Sequence, residues 1–319
     1  MKNLSHCLSL FLSAILVACS PAAPPPEESP SVAGLDNGSF VANLNGFDIH
    51  YEVRGQGPVL MVLSQSWGLS LDGLRSLYAP LEGDLTMVYF DPRGMGESSP
   101  ILEETDMGMA AVRADFQALR EHLGLESVNV IGWSNGAMNL IYLAAEQPET
   151  IDTAIFVHGV ANYTEEDDAV WAHRYPELMQ KYGQFMQDVR KPDLTDQQRT
   201  EMQRSMWLDD FFPFITADPE GAPALFDRLY GAAEFSWPHA DYSNRETPSF
   251  DARDQLPLIT ARCLVVAGAH DMMTVEKVRE LSDGLTDSEF MVFEASGHFA
   301  PAEETEAFKA AVLSFLGVM

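Results

Sequence analysis

Three residues of types that together cleave carbonyl compounds stand in telling places in this chain: Ser134 in GWSNG, Asp271 in AGAHDMMT and His298 in EASGHFAP. A serine hydroxyl is a weak nucleophile until a base takes its proton, and that base needs a carboxylate to orient it. The chain order is Ser, Asp, His. Gly132 and Gly136 flank the serine at two residues on either side. A strand that reverses sharply into a helix forces the central residue to positive φ, and a Cβ two residues away would crowd the turn. The helix that follows would aim its N-terminal N–H groups at the site, which favours an oxyanion. The chemistry implied is acyl transfer through a covalent serine intermediate.

Such a site needs elements that end beside one another. Short apolar runs predict strands at 59–63, 85–90, 128–131, 154–157, 263–267 and 289–293. A further pair at 40–44 and 47–53 turns at Asn45-Gly46, a two-residue hairpin signal. Helical spacing falls between these runs, at 74–81, 107–123, 136–146, 274–285 and 303–316. The alternation predicts an α/β fold with a mostly parallel eight-stranded sheet flanked by helices. Ser134, Asp271 and His298 each follow the C-terminal end of a predicted strand, where the loops of an open α/β sheet converge. Residues 159–260 break the rhythm: they are rich in aromatic residues, Met and Pro, with helical spacing at 169–190 and 196–212. This predicts a helical cap inserted before the last two strands, with the core at 36–158 and 261–319. His158 ends a strand too early to be the usual base and is expected on the pocket wall. Cys263 is expected to be a buried structural thiol.

From about Phe40 to Leu316 the chain resembles the α/β-hydrolase superfamily. GWSNG has the setting of its nucleophile elbow, and DPRGMGESS, Asp91 to Ser99, looks like its Asp-x-Arg-Gly-x-Gly-x-Ser segment. LSQSWG followed by DPRG and this elbow is similar to the proline-iminopeptidase-like branch. Where that branch commonly has His-Gly-Gly-Pro-Gly, this chain has Ser64, Gln65, Ser66, Trp67 and Gly68. The resemblance implies Ser134 as nucleophile, His298 as base and Asp271 as its partner. It also implies backbone N–H groups of Asn135 and of Ser66, or alternatively Gln65, as the oxyanion hole. Trp67 and Trp133 are expected in the mouth of the site. Cap aromatics (Trp171, Trp207, Phe211, Phe212, Phe214, Trp237) are candidates either for lining an acyl or prolyl pocket or for packing the cap's own core. In iminopeptidases cap carboxylates hold the substrate's free amino group; by position the candidates are Glu165, Glu166, Asp209, Asp210 and Glu234. The elbow lacks the Gly-Gly-Ser-Trp-Gly common in true iminopeptidases.

The N-terminus reads as a targeting segment. Lys2 precedes an apolar stretch, Leu8 to Val17, that is too short to span a bilayer but suits a signal peptide. LVAC, Leu16 to Cys19, resembles a bacterial lipobox. It implies cleavage after residue 18 and lipidation of Cys19. Ser20, in place of the aspartate that marks inner-membrane retention in the lipoprotein family, implies by that resemblance a periplasm-facing outer-membrane location in the cell envelope. Residues 19–35 are rich in Pro and Ser and read as a tether. A formal net charge of −29 argues against nucleic acid as a partner. No His/Cys cluster has metal-ligand spacing and no Gly-rich loop could cradle a phosphate, so neither metal nor cofactor is expected. The expected function is a serine hydrolase acting on a small molecule or short peptide. An aminopeptidase releasing N-terminal proline is the first reading and a carboxylesterase the alternative. The remaining alternative is a non-catalytic ligand-binding protein on the same fold, which a missing triad member would have favoured.

Overall fold

The structure, a computed structural model, describes residues 35–246 and 250–318. Strands β1 (Gly38–Leu44) and β2 (Phe47–Gly55) form the hairpin, with Asn45 and Gly46 both at positive φ as the tight turn requires. Then follow β3 (Val59–Leu63), α1 (Leu71–Tyr78), β4 (Thr86–Phe90), α2 (Gly108–His122), β5 (Val128–Trp133), α3 (Asn135–Glu146) and β6 (Ile151–Val157).

Next comes the insertion. It begins with β7 (Asn162–Tyr163), α4 (Glu165–Arg174), α5 (Pro176–Val189) and α6 (Asp196–Met206). It continues with α7 (Phe212–Ile215), α8 (Ala222–Tyr230), α9 (Trp237–Glu246) and β8 (Phe250–Asp251). The core resumes with β9 (Arg262–Gly268), α10 (Val275–Gly284), β10 (Ser288–Phe293), α11 (Ala300–Glu303) and α12 (Thr305–Leu316).

Eight strands make one sheet in the order β1-β2-β4-β3-β5-β6-β9-β10. The pairs β1–β2 and β2–β4 are antiparallel and all others parallel. The central strands are buried on both faces. Leu60 and Val62 of β3 point into one apolar layer, while Met61 and Leu63 point into the other. Each fully buried side chain of this size stabilises the fold by roughly 1.5–3 kcal/mol. Cap residues Phe212, Phe226 and Tyr230 belong to one of these layers, so on that face the cap continues the core.

The cap differs from its sequence pattern in three places. The helical spacing at 169–190 is broken between α4 and α5. Pro176 opens α5, and the residue before a proline is pushed out of the α region, as Tyr175 is at φ −131, ψ 57. Beyond α6 the chain widens into one π-helical turn at Trp207–Phe211. The neck carries a pairing of two residues a side, Asn162 with Asp251 and Tyr163 with Phe250. A second tie joins cap to core: Ser70 N–H donates to Glu234 O (3.1 Å), and Ser236 N–H to Gly68 O (2.9 Å).

Candidate active site

The elbow is built as the glycine spacing requires. Between β5 and α3, Ser134 adopts φ 53, ψ −118. A Cβ on Gly132 would lie 2.6 Å from Gly136 O, and one on Gly136 would lie 2.7 Å from Leu63 O. Ser134 N–H donates to Val157 O (2.8 Å), tying the turn to the neighbouring strand β6.

Behind the serine lies a buried array of hydrogen bonds. His298 Nδ1 donates to the Asp271 carboxylate, 3.0 and 2.9 Å from its two oxygens. This leaves Nε2 unprotonated and able to act as a base. Asp271 also accepts the Met273 N–H at 3.1 Å.

A second imidazole completes the array. The pocket-wall expectation for His158 is corrected: it is 2% exposed, is not among the cavity-lining residues, and lies behind the site. Its Nε2 accepts the Ala300 N–H (3.2 Å), so its proton is on Nδ1, which donates to Asp271 Oδ2 (2.8 Å). Burial depresses the His158 pKa, consistent with a neutral ring. Burial by itself would raise the Asp271 carboxyl. The facing His298 charge and hydrogen bonds from both imidazoles outweigh it and hold that carboxyl well below the usual carboxylate range. His158, Asp271 and His298 also bring ligand-type atoms within 4.8 Å of one another. Their facing atoms already bond each other, so the cluster reads as an array that holds protons.

The loop carrying His298 is held from several sides. Trp133 Nε1–H donates to His298 O (2.8 Å), and the two rings lie 5.1 Å apart. The Glu303 carboxylate accepts the N–H groups of Gly297 (2.9 Å), Phe299 (3.0 Å) and, from the cap, Ala217 (2.6 Å). His298 N–H itself donates to Ile215 O of the cap at 2.6 Å.

The loop after β3 departs from expectation in one detail. Ser66 N–H and Ser66 Oγ both donate to Asn135 Oδ1 (2.9 and 3.0 Å). The Asn135 side chain therefore bridges elbow and loop, a role its position after the serine did not announce. Ser64, standing where the resembled branch has histidine, donates Oγ–H to Phe90 O at 2.6 Å. Asp91 accepts from Leu71 N–H (2.7 Å), His50 Nδ1 (2.7 Å) and Glu97 N–H (3.1 Å), and Arg93 grips Asp115 through two nitrogens (2.7 and 2.8 Å). Both brace the DPRG loop.

Ser134 and His298 open on a cavity of about 450 Å³ between core and cap. All five tryptophans of the chain line it: Trp67, Trp133, Trp171, Trp207 and Trp237. Gln65, Asn135 and Phe211 line it too, whereas Phe212 is sealed in the core and Phe214 is exposed. None of Glu165, Glu166, Asp209, Asp210 and Glu234 does. Among the described residues the one lining carboxylate is Asp168, whose Oδ1 accepts the Tyr163 hydroxyl (2.7 Å). Cys263 is buried, its thiol pushed up to about 12 by desolvation. Cys19 lies outside the described residues.

Residues 59–305 match the family model described as alpha/beta hydrolase fold. The chain belongs to the alpha/beta hydrolase family. This alpha/beta hydrolase is 22% identical to a proline iminopeptidase of Lactobacillus helveticus, over 85% of this chain and 95% of that one. It is 23% identical to a pimeloyl-[acyl-carrier protein] methyl ester esterase of Vibrio vulnificus, over 85% of this chain and 98% of that one. Among solved structures, an alpha/beta fold family hydrolase from Bacillus anthracis superposes with a TM-score of 0.72 at 17% identity, covering 88% of this alpha/beta hydrolase and 99% of that chain.

Proposed function

We propose that this alpha/beta hydrolase is a serine esterase for carboxylic esters whose groups are uncharged and largely apolar. Ser134 Oγ attacks the ester carbonyl while His298 Nε2 takes its proton and Asp271 steadies the imidazolium. The N–H groups of Asn135 and Ser66 hold the oxyanion, which requires the Asn135 amide to release the Ser66 N–H. His298 returns the proton to the departing alkoxide. Water, deprotonated by the same imidazole, then frees the acid and restores the serine.

The observation that carries the ester reading is the lining of the cavity: five tryptophans against one carboxylate already engaged by a tyrosine. A substrate bearing a free ammonium would find little there to pay for its desolvation. The second reading, release of N-terminal proline, draws on Asp168 and on the iminopeptidase relatives. Hydrolysis of p-nitrophenyl esters of medium-length acids, without release of p-nitroaniline from Pro-p-nitroanilide, is the expected result. The opposite pattern overturns the ester reading. Ser134→Ala is expected to abolish labelling by a fluorophosphonate, and persistent labelling would refute the serine mechanism itself.

The N-terminal motif supports attachment to the bacterial envelope through a lipidated Cys19. Incorporation of labelled palmitate into the wild type and not into Cys19→Ala is the expected outcome; equal incorporation would dismiss the anchor.

A further inference from the structure

Among the described residues, one fully buried cap side chain that lines the cavity is left unpaired at both of its polar ends. Gln203 sits on α6, lines the cavity and is 2% exposed. Its Oε1 and its Nε2 are both buried, and neither has a hydrogen-bond partner. Buried amides are almost always paired, because desolvation without a partner is costly. A glutamine with both ends unpaired beside an otherwise aromatic cavity is therefore a recognition group waiting for its complement. Its neighbours do not supply one: Met206 and Trp207 follow it along the chain, and Tyr230 and Trp237 line the same space. In the loop after β3, Gln65 lines the same cavity and also leaves Oε1 unpaired, while its Nε2 donates to Trp133 O at 3.4 Å. The unsatisfied inventory is thus two carbonyl acceptors and one amide nitrogen, all neutral.

We propose that Gln203 is the specificity-determining residue of this cavity, reading a neutral donor–acceptor group on the substrate, a carboxamide or lactam edge, at a position remote from the scissile ester. A planar amide meets a planar amide with one N–H···O bond in each direction, satisfying both orphan ends at once. A ketone could satisfy only the nitrogen, and a hydrocarbon neither. The surplus of acceptors likewise favours a ligand that brings N–H groups. A carboxylate is disfavoured, since it would face Gln203 Oε1 with negative charge and carry no donor.

The proposal rests on the esterase reading for its substrate, so the test has an arm that does not need turnover. In the catalytic arm, the p-nitrophenyl esters of adipamic acid and of 6-oxoheptanoic acid differ only by NH₂ against CH₃. The wild type is expected to prefer the amide in kcat/KM by about tenfold or more. Gln203→Leu, similar in volume and unable to hydrogen-bond, is expected to erase or reverse that preference while still cleaving the ketone ester. In the binding arm, Ser134→Ala is titrated with 3-phenylpropanamide and with 4-phenyl-2-butanone. Quenching of the cavity tryptophans serves as the signal. The amide is expected to bind at least about tenfold tighter, and to lose that margin when Gln203→Leu is added. Gln203→Met serves in place of Leu should the latter fail to fold. Equal affinity for the two ligands, or a margin that survives Gln203→Leu, overturns the proposal. Failure to cleave either ester while the binding margin holds defeats the esterase reading and leaves Gln203 standing.

Discussion

The floor and the roof of the cavity are made by opposite rules. On the core side, His158, Asp271 and His298 meet each other through short hydrogen bonds, and backbone N–H groups fill much of the remaining polar capacity. On the cap side, aromatic rings pack on one another and onto the core, with Trp207 and Phe211 5.1 Å apart and Trp207 4.7 Å from Trp67 of the loop after β3, and the Gln203 amide is left unpaired. A saturated array is rigid, because any shift breaks several bonds at once. A surface of rings with an unfilled amide holds its shape by packing and reserves its polar capacity for a guest. In the proposed division, chemistry falls to the saturated array and selection to the amide that the cap leaves unpaired.

That division is tested most severely on the floor. Asp271→Asn leaves the shape but removes the acceptor that fixes the His298 tautomer. A fall in kcat of about ten-thousandfold is expected, with KM for an apolar ester nearly unchanged. A modest fall of kcat, or a large rise in KM, would show that the two sides are not separable.

Removing His158 comes next. It touches neither cavity nor substrate, yet it donates to the same carboxylate. His158→Ala is expected to lower kcat about tenfold and to destabilise the fold by about 1.5–3 kcal/mol, as the loss of a buried bond to a charged group does. Asp271 would then give more of its charge to His298, so the acid limb of kcat/KM is expected to move to higher pH. His158→Asn can keep a donor at the Nδ1 position and tolerates the positive φ of 56 at this site, and is expected to restore the limb. The thermal midpoint adds an independent reading. An unfolded histidine takes a proton near pH 6.5, but buried His158 resists it. Its share of stability is therefore complete above that pH and is lost as pH falls below it. His158→Ala is expected to flatten the fall in Tm between about pH 7 and pH 5, with buried His239, likewise depressed, retaining part of the slope. An unchanged acid limb and slope would make His158 mere filler.

The smallest effect belongs to the roof. Trp207→Ala is expected to raise KM about tenfold for an octanoyl ester and to leave kcat and the acetyl ester untouched. A fall in kcat for both esters would mean that the cap also shapes the reacting centre.

The floor was legible in the sequence because steric rules left marks there. Gly132 and Gly136 stand where a Cβ would strike backbone, Asp271 follows an apolar run that forms the buried strand β9, and His298 follows the shorter run that forms the edge strand β10. The hairpin announced itself through Asn45-Gly46. What stayed hidden was set by contacts across long separations. His158 and Asp271 are 113 positions apart, and nothing local marks the first as a support for the second. Gln203 lies in DQQRTEMQRSM, a helix so polar that it reads as solvent-facing, although Gln203 and Met206 are buried. The Asn135 side chain carries no mark in the sequence either, because the family pattern concerns only its N–H. The break at Tyr175 had a signal, Pro176, that the helical spacing on both sides obscured.

The bond from His298 N–H to Ile215 O restricts how this protein can diverge. Insertions at this point of a fold look like interchangeable modules, free to be swapped for a new specificity. Here a carbonyl of the insertion holds the backbone of the histidine, and a Cβ on neighbouring Gly297 would lie 2.3 Å from that same carbonyl. A transplanted cap would have to present a carbonyl at that spot, or the recipient would inherit a new pocket with a misplaced base. Specificity can drift residue by residue along the roof more easily than it can be exchanged wholesale.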